Sequence, residues 1–110
     1  MANEIGVPPR QLAEKLAEIY EEPFGGKKRG RFRTSRTNFR NLAGLPVLTE
    51  NYISEVYQWL LRHNLILMNL DSAFCVFPAT IAKGFRRVPR DVFKHYVEGN
   101  EESDNEEDDE

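Results

Sequence analysis

The chain has only one cysteine, one tryptophan, two methionines and two histidines in 110 residues. A single thiol, Cys75, excludes an internal disulfide framework and any metal site built on cysteines; between Phe74 and Val76 it reads as an ordinary buried thiol. His63 and His95 do not make a metal cluster, so no metal and no other cofactor is expected. Phosphate loops, nucleophiles with a histidine partner, and paired carboxylates outside the C-terminal tail are all missing. An enzyme is therefore not expected. No apolar run approaches the roughly 18 residues that span a bilayer, and the N-terminus lacks the basic-then-apolar order of a secretory signal. The chain reads as soluble, intracellular and without a membrane partner.

What is present is charge, unevenly distributed. Residues 98–110 carry nine carboxylates and no base, whereas residues 27–44, KKRGRFRTSRTNFRNLAG, carry seven Lys or Arg and no acid. The formal charge of -3 averages these extremes: without the nine tail carboxylates, 15 basic and nine acidic side chains remain, a charge of +6. The body of the chain is basic, which points to polyanionic partners. Its length suits one domain, residues 1–97, followed by a disordered acidic tail at 98–110 with too little apolar content to offset the entropy of ordering. The tail either keeps a basic domain soluble or competes with a polyanion for the basic segment.

Periodicity divides the domain further. After Pro8 and Pro9, residues Leu12, Leu16, Ile19 and Tyr20 form one helical stripe, which Pro23 and the Gly25-Gly26 pair end. Glycine and basic residues at 25–33 predict a loop or arm. A short helix is expected from a cap at Thr34 or Ser35 to Ala43, with Phe39, Leu42 and Ala43 inward and Arg36 and Arg40 on an outer face. Gly44 and Pro46 make a turn, Thr49 caps a third helix over 49–63, and Ile53, Val56, Tyr57, Leu60 and Leu61 are its apolar stripe. Asn64 suits the left-handed residue that ends it. LILMNL and AFCVF, separated by Asp71-Ser72, read as a two-stranded hairpin; the chain then returns over the ribbon and closes with a short helix carrying Val92, Phe93, Tyr96 and Val97 on one side. The expected class is mainly α with a small β-hairpin, an α+β domain.

This order resembles the winged helix-turn-helix superfamily of bacterial regulators. In those proteins a Leu-Ala pair ends the second helix, a β-branched aliphatic residue follows ten positions later, and a turn residue with Leu-Ile closes the third helix. Leu42-Ala43, Ile53 and Asn64-Leu65-Ile66 fall on that pattern without a gap, and Thr49 matches the usual Ser/Thr cap. The resemblance implies a winged helix-turn-helix with a basic arm, binding double-stranded DNA as a transcriptional regulator or mobile-element accessory factor. Such proteins commonly dimerise on paired half-sites. Localisation would be cytoplasmic and nucleoid-associated, or nuclear in a eukaryotic source.

On that reading helix 49–63 enters the major groove. At about 100° per residue, Asn51, Ser54, Glu55, Gln58 and Arg62 lie opposite its apolar stripe and are the candidates for base edges. Asn and Gln can pair with adenine, Arg with guanine, and Glu can accept from cytosine N4. Lys27, Lys28, Arg29, Arg31, Arg33, Arg36 and Arg40 are candidates for backbone or arm contacts, with Arg86 and Arg87 in a second patch beside Lys83, Arg90 and Lys94. Tyr52, Trp59 and His63 share one flank of the third helix, where they either stack on the nucleic acid or pack against the first or last helix. Two other functions remain: a winged-helix protein–protein interaction module, and an RNA-binding protein in which Phe32 and Phe39 stack on bases.

Overall fold

A computed structural model describes residues 5–97; the expected disordered tail at 98–110 lies outside the described residues. Proline at the first helical position needs no amide partner there, and α1 (Pro9–Tyr20) accordingly begins at Pro9. It buries Leu12, Ala13 and Leu16 and leaves Ile19 and Tyr20 half-covered. Helix α2 (Arg36–Ala43) starts at Ser35, whose hydroxyl accepts from the Asn38 amide at 3.0 Å, and stops at Gly44, with φ of +72°. A left-handed residue there lets the Gly44 amide reach back to the last turn, a geometry that glycine adopts at low cost. Helix α3 (Glu50–Leu61) is capped by Thr49, which accepts from the Tyr52 amide at 3.1 Å. It ends two residues before the expected position, at a turn whose last residue, Asn64, has φ of +66°.

Three strands follow the pairing order β1-β3-β2, all antiparallel, with β1 at Phe32–Ser35, β2 at Leu65–Asn69 and β3 at Ala73–Pro78. The expected two-stranded ribbon is therefore a three-stranded sheet, and the chain is a mixed α+β fold. Part of the expected basic arm is its edge strand: Phe32 pairs with Val76, Arg33 with Cys75 and Thr34 with Phe74. Its alternation of cationic and β-favouring residues, Arg31-Phe32-Arg33-Thr34, gives the period of two that a half-buried strand requires. The rest of the arm is also held, by a bridge between Phe24 and Lys27 and by the Gly30 amide on the Tyr20 carbonyl at 3.0 Å.

The core lies between the helices and one face of the sheet. Leu12, Leu16, Phe39, Val56, Leu60, Phe74 and Val76 are its largest enclosed side chains, and α1 packs along α3. Phe39 of α2 stacks on Phe74 of β3 with ring centroids 4.0 Å apart and planes 20° from parallel. Two expected core positions differ: Leu61 is exposed, because the stripe of α3 is satisfied by Ile53, Val56 and Leu60, and Cys75 is half-buried on the sheet face away from the helices. After β3 a 3-10 helix (Ala79–Gly84) and then α4 (Arg90–Lys94) complete the described chain. The apolar side of α4 is exposed.

Tyr52 ties the entry of the chain to α3, its hydroxyl donating to the Val7 carbonyl at 2.7 Å. Burial pushes its pKa from 10.0 up to about 12, so the neutral phenol is favoured in the folded state. Stability from this neutral form is fully present below pH 10 and is lost as pH rises from about 10 through about 12. Tyr52→Phe is expected to cost about 1 kcal/mol at neutral pH, for one lost hydrogen bond. It should also flatten the loss of stability between pH 10 and 12; an unchanged alkaline limb in denaturant titrations of the variant would locate the titrating group elsewhere.

Candidate nucleic-acid interface

The outward side of α3 is polar, as its spacing requires: Asn51, Ser54, Glu55, Gln58 and Arg62 are all exposed. Asn51 and Glu55, one turn apart, are joined by a hydrogen bond from Asn51 Nδ2 to Glu55 Oε2 of 3.0 Å. Any bidentate contact from Asn51 to a base must exchange that bond for one to the base edge. Arg62 is turned along the helix, its guanidinium 4.7 Å from the Trp59 ring centre, and Arg10 of α1 lies 5.8 Å from the same ring. Of the aromatic flank, Tyr52 and Trp59 pack against the core, while His63 is exposed.

The basic residues divide into engaged and unengaged groups. Arg36 reaches the β2–β3 turn, donating to the Asp71 carbonyl at 3.2 Å and lying 3.5 Å from Asn69 Oδ1, with its guanidinium 5.4 Å from the Phe74 ring centre. Its backbone amide also donates to the Ser72 carbonyl at 3.0 Å, so the start of α2 and the hairpin tip are one unit. Arg40 is half-buried and donates to the Leu45 carbonyl at 3.0 Å, which fixes the turn between α2 and α3. The two arginines expected to project together from one outer face therefore brace opposite ends of α2. Arg29 pairs with Glu21 at 3.1 Å and lies 5.5 Å from the Tyr20 ring centre.

No protein-family model matches this chain, and neither does a curated protein or a solved structure. The residues themselves therefore carry the functional argument. Lys27, Lys28, Arg86 and Arg87 are exposed, and their side chains make no hydrogen bond or ion pair among the described residues. Arg31 and Arg33 are separated from them: both line a groove on the outer face of the sheet together with Met68, Cys75, Phe77 and Phe85. Sequence reasoning missed this grouping, although the alternation at 31–34 was its signal.

A second surface has the opposite sign. Glu14, Glu18, Glu21 and Glu22 border a broad depression of about 900 Å³ between α1 and the end of α3, which also includes Arg29 and His63. Carboxylates on that side disfavour a phosphate backbone there. Among the described residues no group of three His, Cys, Asp or Glu side chains is arranged to hold a metal ion, and no helix is long and apolar enough to cross a membrane.

Proposed function

We propose that this protein is a non-enzymatic DNA-binding protein of winged-helix type, inserting the first half of α3 into the major groove of duplex DNA. The observation that carries the reading is the capped α3, exposed along Asn51, Ser54 and Gln58 and backed by a fully enclosed stripe of Val56 and Leu60. A helix held rigidly on one side and polar on the other is what a groove reader requires. The element order supports it too: helix, strand, two helices, then a hairpin that pairs with the first strand. In this reading Arg36 holds the hairpin as a wing, and Lys27, Lys28, Arg86 and Arg87 supply cationic charge for phosphates. Regulation of transcription or an accessory role in a mobile element would follow from occupying a site, without any chemical step.

The test is binding of a labelled duplex by the full chain at about 50 mM salt, followed by selection of preferred sites from a random pool. Asn51→Ala and Gln58→Ala are each expected to relax preference at one base position by about 1–3 kcal/mol while general affinity persists. If neither variant alters the selected sequences, α3 does not read bases. Absence of any duplex binding at low salt would end the proposal.

A further inference from the structure

The outer face of the sheet carries chemistry that a groove-reading α3 leaves unused. Side chains alternate between the faces of a strand, so Arg33 of β1, and Arg31 two positions before it, share the side away from the helices with Cys75 and Phe77 of β3 and Met68 of β2. Pairing sets their order, since Cys75 is opposite Arg33 on one side and Met68 on the other. Phe85, just past the 3-10 helix, completes the border of a groove of about 370 Å³. That size is within the roughly 300–1,000 Å³ of clefts that take small ligands.

Composition and charge together say what the groove takes. Apart from its two arginines, its side chains are hydrocarbon, thioether or thiol, with Phe77 half-buried and Phe85 68% exposed. Arg31 and Arg33 are exposed at its edge, and their side chains make no hydrogen bond or ion pair among the described residues. Lys83, Arg86 and Arg87, on either side of Phe85 in the sequence, are exposed as well, and no carboxylate among the described residues lines the groove. An apolar peptide would cover the floor and leave the guanidiniums unanswered. A second copy of α4 would bring Arg90 and Lys94 against a single Asp91 to a surface that is already positive. What answers both parts is a ligand that is flat and apolar on one side and anionic on the other. An unpaired nucleic-acid strand has that form, because its bases are free to stack on aromatic rings while its phosphates meet Lys and Arg.

We infer that the sheet groove is a second nucleic-acid site, which takes bases of an unpaired DNA strand against Phe77 and Phe85 and places the adjoining phosphates on Arg31 and Arg33. Deoxyribose is favoured over ribose because the lining is apolar: a 2′-hydroxyl turned toward it would lose water and find no side-chain partner. The site is on the face of the sheet away from the helices and shares no side chain with the exposed side of α3. With both surfaces occupied, the chain would hold a junction between a duplex and an opened strand.

The test is anisotropy of a labelled oligothymidylate of about 10 nucleotides, which cannot pair with itself, titrated with the full chain across a salt series. Binding is expected, and Phe85→Ala should weaken it roughly five- to a hundredfold, the usual effect of removing one stacking ring. Phe85 is exposed, so this variant should keep the parent circular dichroism and the parent affinity for duplex. Arg31→Ala with Arg33→Ala should make the salt slope shallower by about 1.4, at about 0.7 per phosphate of a single strand. Cys75, the only thiol, lines the groove and gives an independent readout: its alkylation should slow when the strand is bound, and much less so in Phe85→Ala. An oligouridylate of the same length should bind more weakly. No binding of the labelled strand, equal binding by Phe85→Ala, full displacement by an equal concentration of unlabelled duplex, or tighter binding of the oligouridylate would each overturn the inference. Loss of strand binding with duplex binding intact rejects this site alone, and the reverse rejects only the reading of α3.

Discussion

Replacing Phe39 by alanine is expected to lower the free energy of unfolding by about 3–5 kcal/mol, at the upper end of what a single truncation costs. Phe39 is fully enclosed, and its ring stacks 4.0 Å from that of Phe74, which is equally enclosed. Alanine would remove the buried ring and leave a cavity that neither α2 nor β3 can close, because each is fixed at its end. Ser35 caps α2, and Arg36 ties the same end to the hairpin tip. A domain of this size commonly has about 5–15 kcal/mol of total stability, so the loss is a large share of it. At roughly 4–8 °C per kcal/mol for a small domain, the melting midpoint should fall by more than 12 °C. Phe39→Leu keeps most of the volume and should cost well under half as much. If calorimetry or denaturant melts put Phe39→Ala within about 1 kcal/mol of the parent chain, the α2–β3 contact would not be the centre of the core.

How much of this arrangement was legible in the sequence depended on the range of the interaction. The caps at Ser35 and Thr49 act over three residues, and the stripes of Leu12 and Leu16, and of Ile53, Val56 and Leu60, are local periodicities. Asn64 is a left-handed residue for a local reason as well. β1 was missed because it is four residues long and pairs with β3, about 40 residues later; composition alone made residues 25–33 look like a loop. The engagement of Arg36 is equally non-local, since the carbonyl that it meets belongs to Asp71, 35 positions away. For α4 the pattern put Val92, Phe93, Tyr96 and Val97 on one side, but the helix ends at Lys94 and all four are exposed, since a stripe of apolar residues has the same spacing whether or not anything covers it. The candidate site was legible to the same extent: the exposed side of α3 followed from its period, whereas the division of the arginines into structural braces and unengaged charges did not.

That division sets the second large effect, on the salt dependence of binding to a duplex of random sequence. Each phosphate neutralised contributes about -0.9 to the slope of log affinity against log salt. Lys27, Lys28, Arg86 and Arg87 are exposed cations whose side chains have no partner among the described residues. Contact by all four predicts a slope near -3.6, which is roughly a hundredfold loss of affinity between about 50 and 200 mM salt. Lys27→Ala with Lys28→Ala should make the slope shallower by about 2 and leave stability within about 0.5 kcal/mol. Arg40→Ala should behave in the opposite way. Its guanidinium is occupied by the Leu45 carbonyl at 3.0 Å, so the slope should hold while stability falls by about 1–2 kcal/mol. Arg36→Ala should lower affinity on every sequence by freeing the hairpin tip, because Arg36 holds the Asp71 carbonyl at 3.2 Å. Anisotropy titrations across a salt series, paired with denaturant melts of each variant, separate these outcomes. A flat salt response in the full chain would show that phosphates are not contacted, and the exposed side of α3 would then be a solvated face; a slope change in Arg40→Ala as large as in the lysine pair would mean that the brace opens on binding.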